Sequence, residues 1–516
     1  MPASEMHEGQ PKSREAARTR GDFSLANLAI IALLAVLAFV IMGYHPGLED
    51  DSFYLAAIKR DLDPSLFPHD ADFFRIQFQA TIFDKLIAAS VRLIHLPVAW
   101  MALSWQFAAI FFILHGCWRI SRRIFPRPDA SWAATVLIGA LLTIPLPGIA
   151  ITIADQYLHP RNIATAAILA AIVAVIDQKP RLAGLLLFFS VAVHAIMAAF
   201  GISFCAFLWW YLRGSKMQDE SRSVLALLLF PLGWIFEPAS EAWRQAASTR
   251  GFYFLGRWHW YEWLGVFAPI LILFALRRLH TRTRENAILN ALVSAAFAFA
   301  VFQTCIGLAI MLPPSLERLR PFEPMRYLQL LYILFFLIVG GLIGRFVLQR
   351  HAYRWALLFV PLAAGMFYAQ RQQFPASVHL ELPWRTSSNP WLQAFRWISR
   401  NTPKDALFAL DPHYQTLTDE DQHGFRALAE RSALADYEKD GGMAARVPSL
   451  APRWLREVTA LTGWRNFQAA DFQRLQQDFS VNWIVLSKYD QQYSLQDSAI
   501  MTCSYENQDV KVCRLH

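Results

Sequence analysis

The sequence has little charge for its length. Asp, Glu, Lys and Arg make up 17% of the 516 residues, whereas a soluble globular protein carries about 25%. Hydrophobic residues make up 55%, and several apolar runs reach the roughly 20 residues that cross a bilayer. The composition therefore excludes an ordinary soluble protein and predicts a polytopic membrane protein.

The sequence also lacks the short motifs of several large enzyme classes. It contains no Walker loop, no dinucleotide fingerprint, no HExxH motif and no CxxC pair, so nothing supports an ATP-driven pump or a redox enzyme. The net charge of +8 comes from basic residues in short loops between apolar runs, which is the positive-inside pattern and does not indicate nucleic acid. No cofactor is required, although a divalent cation could bind the carboxylates at 49–51.

Cysteine is scarce, and its five positions fall into two groups. Cys117, Cys205 and Cys305 lie in apolar runs and are expected to be small core residues. Cys503 and Cys513 lie on the two arms of a predicted terminal hairpin, 499–505 with 509–515. Outside the cytoplasm a disulfide between these two is expected, and two unpaired thiols are the alternative, because sequence does not give connectivity.

The basic loops also predict orientation. Residues 1–23 are expected to form a cytoplasmic tail, 24–370 a transmembrane domain of about eleven helices, and 371–516 an extracytoplasmic domain. The long first outer loop, 44–97, contains an amphipathic stretch at 78–96 that can lie in the membrane interface. The run 182–212 has basic flanks on both sides, so we expect two short helices that meet near His194. Other spans are predicted at 132–150 and 223–236.

The C-terminal part is more charged than the rest of the chain. The pattern predicts a helix at 390–400, a strand at 406–410, helices near 421–431 and 470–478, a strand at 481–487 and the terminal hairpin. This mixed order is typical of a small α/β domain.

Ionisable residues at the predicted outer boundary form three sets. The sets are Glu49, Asp50 and Asp51; Asp155, His159 and Arg161 with His194; and the arginines Arg318, Arg320 and Arg326 with Glu317 and Glu323 beside them. Charge near hydrocarbon is costly and usually functional. A carboxylate of the first set can accept a proton from a hydroxyl, and arginines can hold a phosphate. We therefore expect the first set to be catalytic and the other two to bind substrate, with His159, Arg161 and His194 able to serve either the proton or the phosphate.

Simpler explanations exist for each set. The three carboxylates could only mark a helix end, the arginines could extend to the interface without binding anything, and His194 could be a packing residue.

Four features of the chain resemble one family. They are the sequence EDDSFY after the first apolar run, the long first loop, the outer segment DQYLHPR, and the tail WLQAFRWISRNTPKDALFALDP with AERSALADYEK. In these the chain resembles the GT-C superfamily of membrane glycosyltransferases, and most of all its bacterial members with a soluble C-terminal domain. The resemblance implies a GT-C-like fold in the cytoplasmic (inner) membrane.

The resemblance also implies a reaction. A sugar would pass, with inversion, from a polyprenyl-phosphate donor to a glycan, lipid or protein acceptor of the cell envelope. In that family an Asp or Glu of the first outer loop is the base, a role that would fall on Asp50. The alternative is a non-enzymatic membrane protein, either a transporter or an envelope assembly partner. A transporter should show symmetry between its halves, which this sequence does not show.

Overall fold

The computed structural model describes residues 22–74, 79–213, 238–280, 286–417, 420–421, 423–494 and 500–516. This part of the chain is mostly helical, with a five-stranded sheet near the C-terminus. Six of its helices are long and apolar enough to cross a membrane. Eleven crossings stay a prediction, and the span expected at 223–236 and the tail up to residue 21 lie outside the described residues.

The helices of the N-terminal three quarters are numbered in chain order. They are α1 (Leu25–Met42), α2 (Asp51–Leu62), α3 (Phe83–Ile94), α4 (Val98–Ile124), α5 (Pro128–Ala140), α6 (Pro160–Ile176), α7 (Pro180–Val193), α8 (Ala195–Arg213), α9 (Glu241–Ser248), α10 (Trp260–His280), α11 (Ala287–Met311), α12 (Tyr327–Ile343) and α13 (Ala352–Gln373).

Two places along this series show how local sequence sets helix boundaries. The predicted break at His194 is confirmed, because α7 ends at Val193 and α8 begins at Ala195. The helix predicted over 132–150 is shorter in the structure, since α5 has 13 residues and ends at Ala140. Pro145 and Pro147 follow, and proline lacks the N–H that a continuing helix needs. This helix alone is shorter than a bilayer crossing requires.

The segment 44–97, predicted to be the first outer loop, is largely structured in its described residues. It contains α2, a short 3₁₀ turn at Ala71–Phe74 and the amphipathic α3 within the predicted stretch. Its buried Phe53 and Phe73 pack in one cluster with Trp243 of α9 and with Met443 and Trp454 of the C-terminal domain. Three segments that are distant in sequence therefore share one hydrophobic core.

The C-terminal domain follows α13. Its elements are α14 (Pro390–Asn401), β1 (Leu407–Ala409), α15 (Phe425–Ala429), β2 (Ser432–Ala433), α16 (Lys439–Arg446), α17 (Ala451–Ala460), α18 (Ala469–Phe479), β3 (Trp483–Ser487), β4 (Met501–Glu506) and β5 (Val510–Leu515). Sequence reasoning missed β2, α16 and α17.

The strands form a mixed sheet in the order β2-β1-β3-β5-β4. The pairs β1–β2 and β1–β3 are parallel, while β5 is antiparallel to β3 and β4. One face packs with Phe395 of α14, and the other packs with Phe472 of α18. A disulfide joins Cys503 to Cys513 across the terminal hairpin.

Candidate functional site

A cavity of about 490 Å³ lies where the membrane helices meet the C-terminal domain. Residues 45–53, 145–161, 249–252, 373–374 and 438–446 contribute to its wall. Its charged lining residues are Glu49, Asp50, Asp155, Arg161, Arg250, Arg326, Glu438, Lys439 and Arg446. Each of the three predicted sets therefore has at least one member at this one cavity.

The acidic set lies at the start of α2. Asp50 is the N-cap residue, its side chain makes no capping hydrogen bond, and Glu49 before it takes a left-handed φ of 50°. The Asp50 side chain is 28% exposed and the Glu49 side chain is 64% exposed. Both line the cavity. The positive end of a helix favours negative charge at this position.

Asp51 faces away from the cavity. Its carboxylate is buried and accepts a hydrogen bond from the Gly47 N–H at 2.6 Å. Gly47 has φ +87°, a conformation that glycine adopts without strain, and its carbonyl accepts from the Gly424 N–H at 2.7 Å. Burial raises the pKa of Asp51 to about 7. Asp51 therefore stabilises the turn at Gly47 and does not face substrate.

Lys439 of α16 supplies the positive charge beside the acidic pair. Its ammonium contacts the Glu49 carboxylate and lies 3.4 Å from Asp50 Oδ1. Burial acts to raise the pKa of Asp50, but the charges of Lys439, Arg250 and Arg446 outweigh it and hold that pKa well below 3.8. Lys439 also lowers the pKa of Glu49. Both carboxylates are therefore ionised at neutral pH.

The second set is held at the start of α6. Arg161 forms a buried ion pair with Asp155, and its Nε and Nη1 have no hydrogen-bond partner among the described residues. His159 Nδ1 accepts from the Arg161 N–H at 2.9 Å, which leaves the proton on Nε2, 4.0 Å from Asp50 Oδ2. Burial lowers the pKa of His159 well below 6.5, so the ring is neutral.

His194 does not line this cavity. Its ring lies in the break between α7 and α8, with its centroid 6.1 Å from that of His159. It packs against His159, and neither ring lines the cavity.

The third set divides. Arg326 lines the cavity and pairs with Glu323, which also accepts from Arg446 Nη2 at 2.7 Å. Arg318 instead donates to the Pro238 carbonyl at 2.8 Å. Arg320 lines a separate, smaller cavity. Only Arg326 of this set is therefore brought to Asp50.

Sequence reasoning missed Arg250, Lys439 and Arg446. Two of them lie on α16, in the segment KDGGMAAR, and the paired glycines in it are the signal that could have found them. A Cβ at position 442 would lie 2.6 Å from Arg250 Nε, and one at 441 would lie 2.9 Å from Thr249 Oγ1. Glycine thus lets α16 approach the turn that carries Arg250.

A buried ion network fixes α16. Arg426 pairs with Asp70 of the first outer loop, and its Nη1 donates to Asp440 Oδ1 at 2.9 Å. Asp440 Oδ2 accepts from the Asp436 N–H at 2.9 Å. Because buried charges are stable only when paired, this network sets where Lys439 meets the acidic pair.

Five basic and four acidic side chains thus line the cavity. An ionised carboxylate lies next to several guanidinium groups. The carboxylate can accept a proton, and the guanidinium groups beside it can hold an anion. Within the described ranges, no group of three or more His, Cys, Asp or Glu is arranged to hold a metal ion.

The chain is similar to one family model over a short segment and to a solved structure over most of its length. A family model described as a domain of unknown function (DUF6798) matches residues 389–448, which include α16. No curated protein matches the sequence. Among solved structures, the chain is similar to the apo oligosaccharyltransferase of Archaeoglobus fulgidus, with 11% identity, a TM-score of 0.46, and coverage of 90% of this chain and 69% of that one. A similarity at this level does not assign an activity.

Proposed function

We propose that this chain is a membrane glycosyltransferase that takes a sugar from a lipid-linked phosphate donor at the 490 Å³ cavity. The observation that supports it best is Asp50, a carboxylate kept ionised at a cavity that also presents Arg161, Arg250 and Arg446. The donor would be a polyprenyl-phosphate sugar. The acceptor would be a glycan, lipid or protein of the envelope, outside a bacterial cytoplasmic membrane.

The reaction is a direct displacement. An acceptor hydroxyl attacks the anomeric carbon and gives its proton to Asp50 as the new C–O bond forms. The bond from that carbon to the phosphate oxygen breaks, and the phosphate leaves with the bonding electrons. The guanidinium groups of Arg250 and Arg446 offset the negative charge that develops on it. Attack opposite the leaving group inverts the anomeric centre.

The donor itself adjusts the base. A carboxylate with a strongly lowered pKa is a weak proton acceptor. A bound phosphate adds negative charge next to the cations that lower the pKa of Asp50, and nearby negative charge raises the pKa of a carboxylate. Asp50 therefore becomes more basic when the donor is in place than when the site is empty.

The other lining residues have supporting roles in this proposal. Arg161 lines the cavity, its Nε and Nη1 have no hydrogen-bond partner among the described residues, and in this proposal it binds a sugar hydroxyl or a phosphate oxygen. Lys439 contacts both Glu49 and Asp50, so the repulsion between their like charges does not force one of them to protonate.

The test is sugar transfer by the purified protein in lipid nanodiscs, with labelled polyprenyl-phosphate sugars supplied one at a time. Asp50→Asn keeps the size of the side chain and removes the proton acceptor, so we expect transfer to fall about 10²-fold, the lower end for loss of a general base. The matched control is Asp63→Asn, because Asp63 is exposed and pairs with Lys404 outside the cavity.

Two results would contradict the proposal. Equal transfer by wild type and Asp50→Asn would remove Asp50 from the role of base. Binding of the donor without transfer by the wild type, for every sugar and acceptor tried, would favour a transporter or an assembly partner.

A further inference from the structure

A second cavity lies beside the first. It has a volume of about 190 Å³ and lies between α9, the turn that follows it and the 3₁₀ segment Pro314–Phe322. Three arginines, Arg244, Arg257 and Arg320, line it with one carboxylate, Glu317. Arg244 Nη2 pairs with Glu317 Oε1 at 3.1 Å. Arg257 and Arg320 have no carboxylate partner among the described residues.

These two arginines share one aromatic ring. The guanidinium carbons of Arg257 and Arg320 lie 4.8 Å and 5.4 Å from the centroid of the Phe254 ring. Arg320 Nε is buried and makes no hydrogen bond to any described residue. Arg257 Nη1 donates to the Ser248 carbonyl at 3.2 Å. Two like charges held near one ring repel each other, and an anion between them would relieve that repulsion while accepting from the unpartnered Arg320 Nε–H.

Most of the remaining wall is apolar. Trp243 and Tyr253 are buried, and Trp243 Nε1 donates to the Ala445 carbonyl at 2.8 Å. The cavity therefore combines two arginines that hold a phosphate well with aromatic surface that suits a hydrocarbon or glycerol group.

The cavity lies near the ends of two apolar helices. Trp260 and Tyr261 begin α10 and are 76% and 54% exposed, and Leu312, directly after α11, is 62% exposed. Exposed Trp and Tyr at the end of an apolar helix are typical of the membrane–water interface. Lipid phosphates lie at the same depth.

We propose that this second cavity binds the phosphate of an anionic lipid. Basic pockets at the ends of membrane helices bind acidic headgroups, and here the phosphate would lie between Arg257 and Arg320. This inference does not depend on the transfer reaction proposed above.

The site has a consequence for the larger cavity. Thr249, Arg250, Gly251 and Phe252 line the larger cavity, while Ser248, Tyr253 and Phe254 line the smaller one. One short turn is thus the shared wall. A lipid held on one side of it fixes the position of Arg250 on the other.

The test measures hydrogen exchange of the full chain in nanodiscs. The three arms are phosphatidylcholine alone, phosphatidylcholine with phosphatidylglycerol, and phosphatidylcholine with inorganic phosphate. We expect slower exchange of the amides of residues 243–257 with phosphatidylglycerol only. Equal exchange in all three arms would overturn the proposal. Equal protection by inorganic phosphate would replace the lipid with a free anion and overturn it as well.

Variants test the two arginines. Arg257→Gln with Arg320→Gln should weaken phosphatidylglycerol binding, by roughly tenfold for each guanidinium removed. The control is Arg400→Gln with Arg474→Gln, which removes two exposed charges from the C-terminal domain. Equal affinity in both double variants would overturn the proposal. If the first pair does not fold, the exchange result on the wild type decides alone.

Discussion

Asp50 and Asp51 are adjacent carboxylates with opposite surroundings. Asp50 faces a cavity with several cations, which hold its pKa well below 3.8. Asp51 points into the protein, where burial raises its pKa to about 7. A rotation of about 100° per helical residue separates the two side chains. One residue step thus separates a candidate base from a structural residue.

The raised pKa of Asp51 predicts a pH effect on stability. Asp51 binds its proton more tightly in the folded protein than in the unfolded chain, so its contribution to stability is lost as the pH rises from about 4 to about 7. Asp51→Asn cannot ionise and escapes this loss. We expect the variant to exceed the wild type in stability at pH 8, by about 4 kcal/mol at most, and to match it near pH 4.

Thermal unfolding at the two pH values measures this difference. Asp63→Asn is the control, because the pKa of Asp63 is lowered to about 2 by its hydrogen bond with Lys404 and its carboxylate is exposed. A variant Asp51→Asn that unfolds at a lower temperature than the wild type at pH 8 would contradict the argument.

At the scale of the element, α16 determines the site. It carries Lys439 and Arg446, and its Gly442 lies against Arg250. The helix is short, so tertiary contacts hold it in place more than its own propensity does. Its anchors are the Arg426–Asp440 pair and the cluster around Met443 and Trp454.

Gly442→Ala tests that contact. The new Cβ would lie 2.6 Å from Arg250 Nε, so the flexible guanidinium must move and the helix can stay. We expect a melting temperature near that of the wild type, and donor binding weakened by about tenfold because one charge-assisted hydrogen bond is lost. Gly365→Ala is the control, since no atom lies within 4 Å of its Cβ position. Unchanged donor binding in Gly442→Ala would remove Arg250 from the donor site.

At the scale of the whole molecule, the C-terminal domain is part of the site. Glu381 lies between His45 of the first outer loop and His423, with Nδ1–Oε1 and Nε2–Oε2 distances of 3.0 Å and 2.9 Å. Together with the shared core around Trp243, these buried pairs hold the domain against the membrane helices. Residues 438–446 of the domain form part of the wall of the large cavity.

This arrangement requires the C-terminal domain and the first outer loop to lie on the same side of the membrane. In a chain whose Cys117, Cys205 and Cys305 are replaced by alanine, we expect Arg400→Cys to react with an impermeant maleimide added outside the cell. Arg350→Cys should react only after the membrane is opened, because basic loops stay in the cytoplasm. The reverse pattern would contradict the orientation predicted from the sequence.

Features that depend on neighbouring residues could be predicted from the order of residues. Length and hydropathy predicted a helical membrane protein, the helix break at His194 and α3 within 78–96. The periodicity of hydrophobic residues and the turn-forming residues between them predicted α14, α18, β3 and the terminal hairpin. The acidic cluster Glu49–Asp51 after the first apolar run was also evident, because charge next to an apolar run needs no tertiary information to be noticed, whereas the helix α2 that follows it was not predicted.

Tertiary structure alone decided which charges meet. Lys439 contacts Glu49 across 390 positions of sequence, whereas Arg320 belongs to another cavity although it lies close in sequence to Arg326. Residue type and spacing do not show which side chains share an enclosed, low-dielectric space. The pKa of a carboxylate depends on that enclosure and on the charges within it, so the partners of Asp50 followed only from how the chain packs.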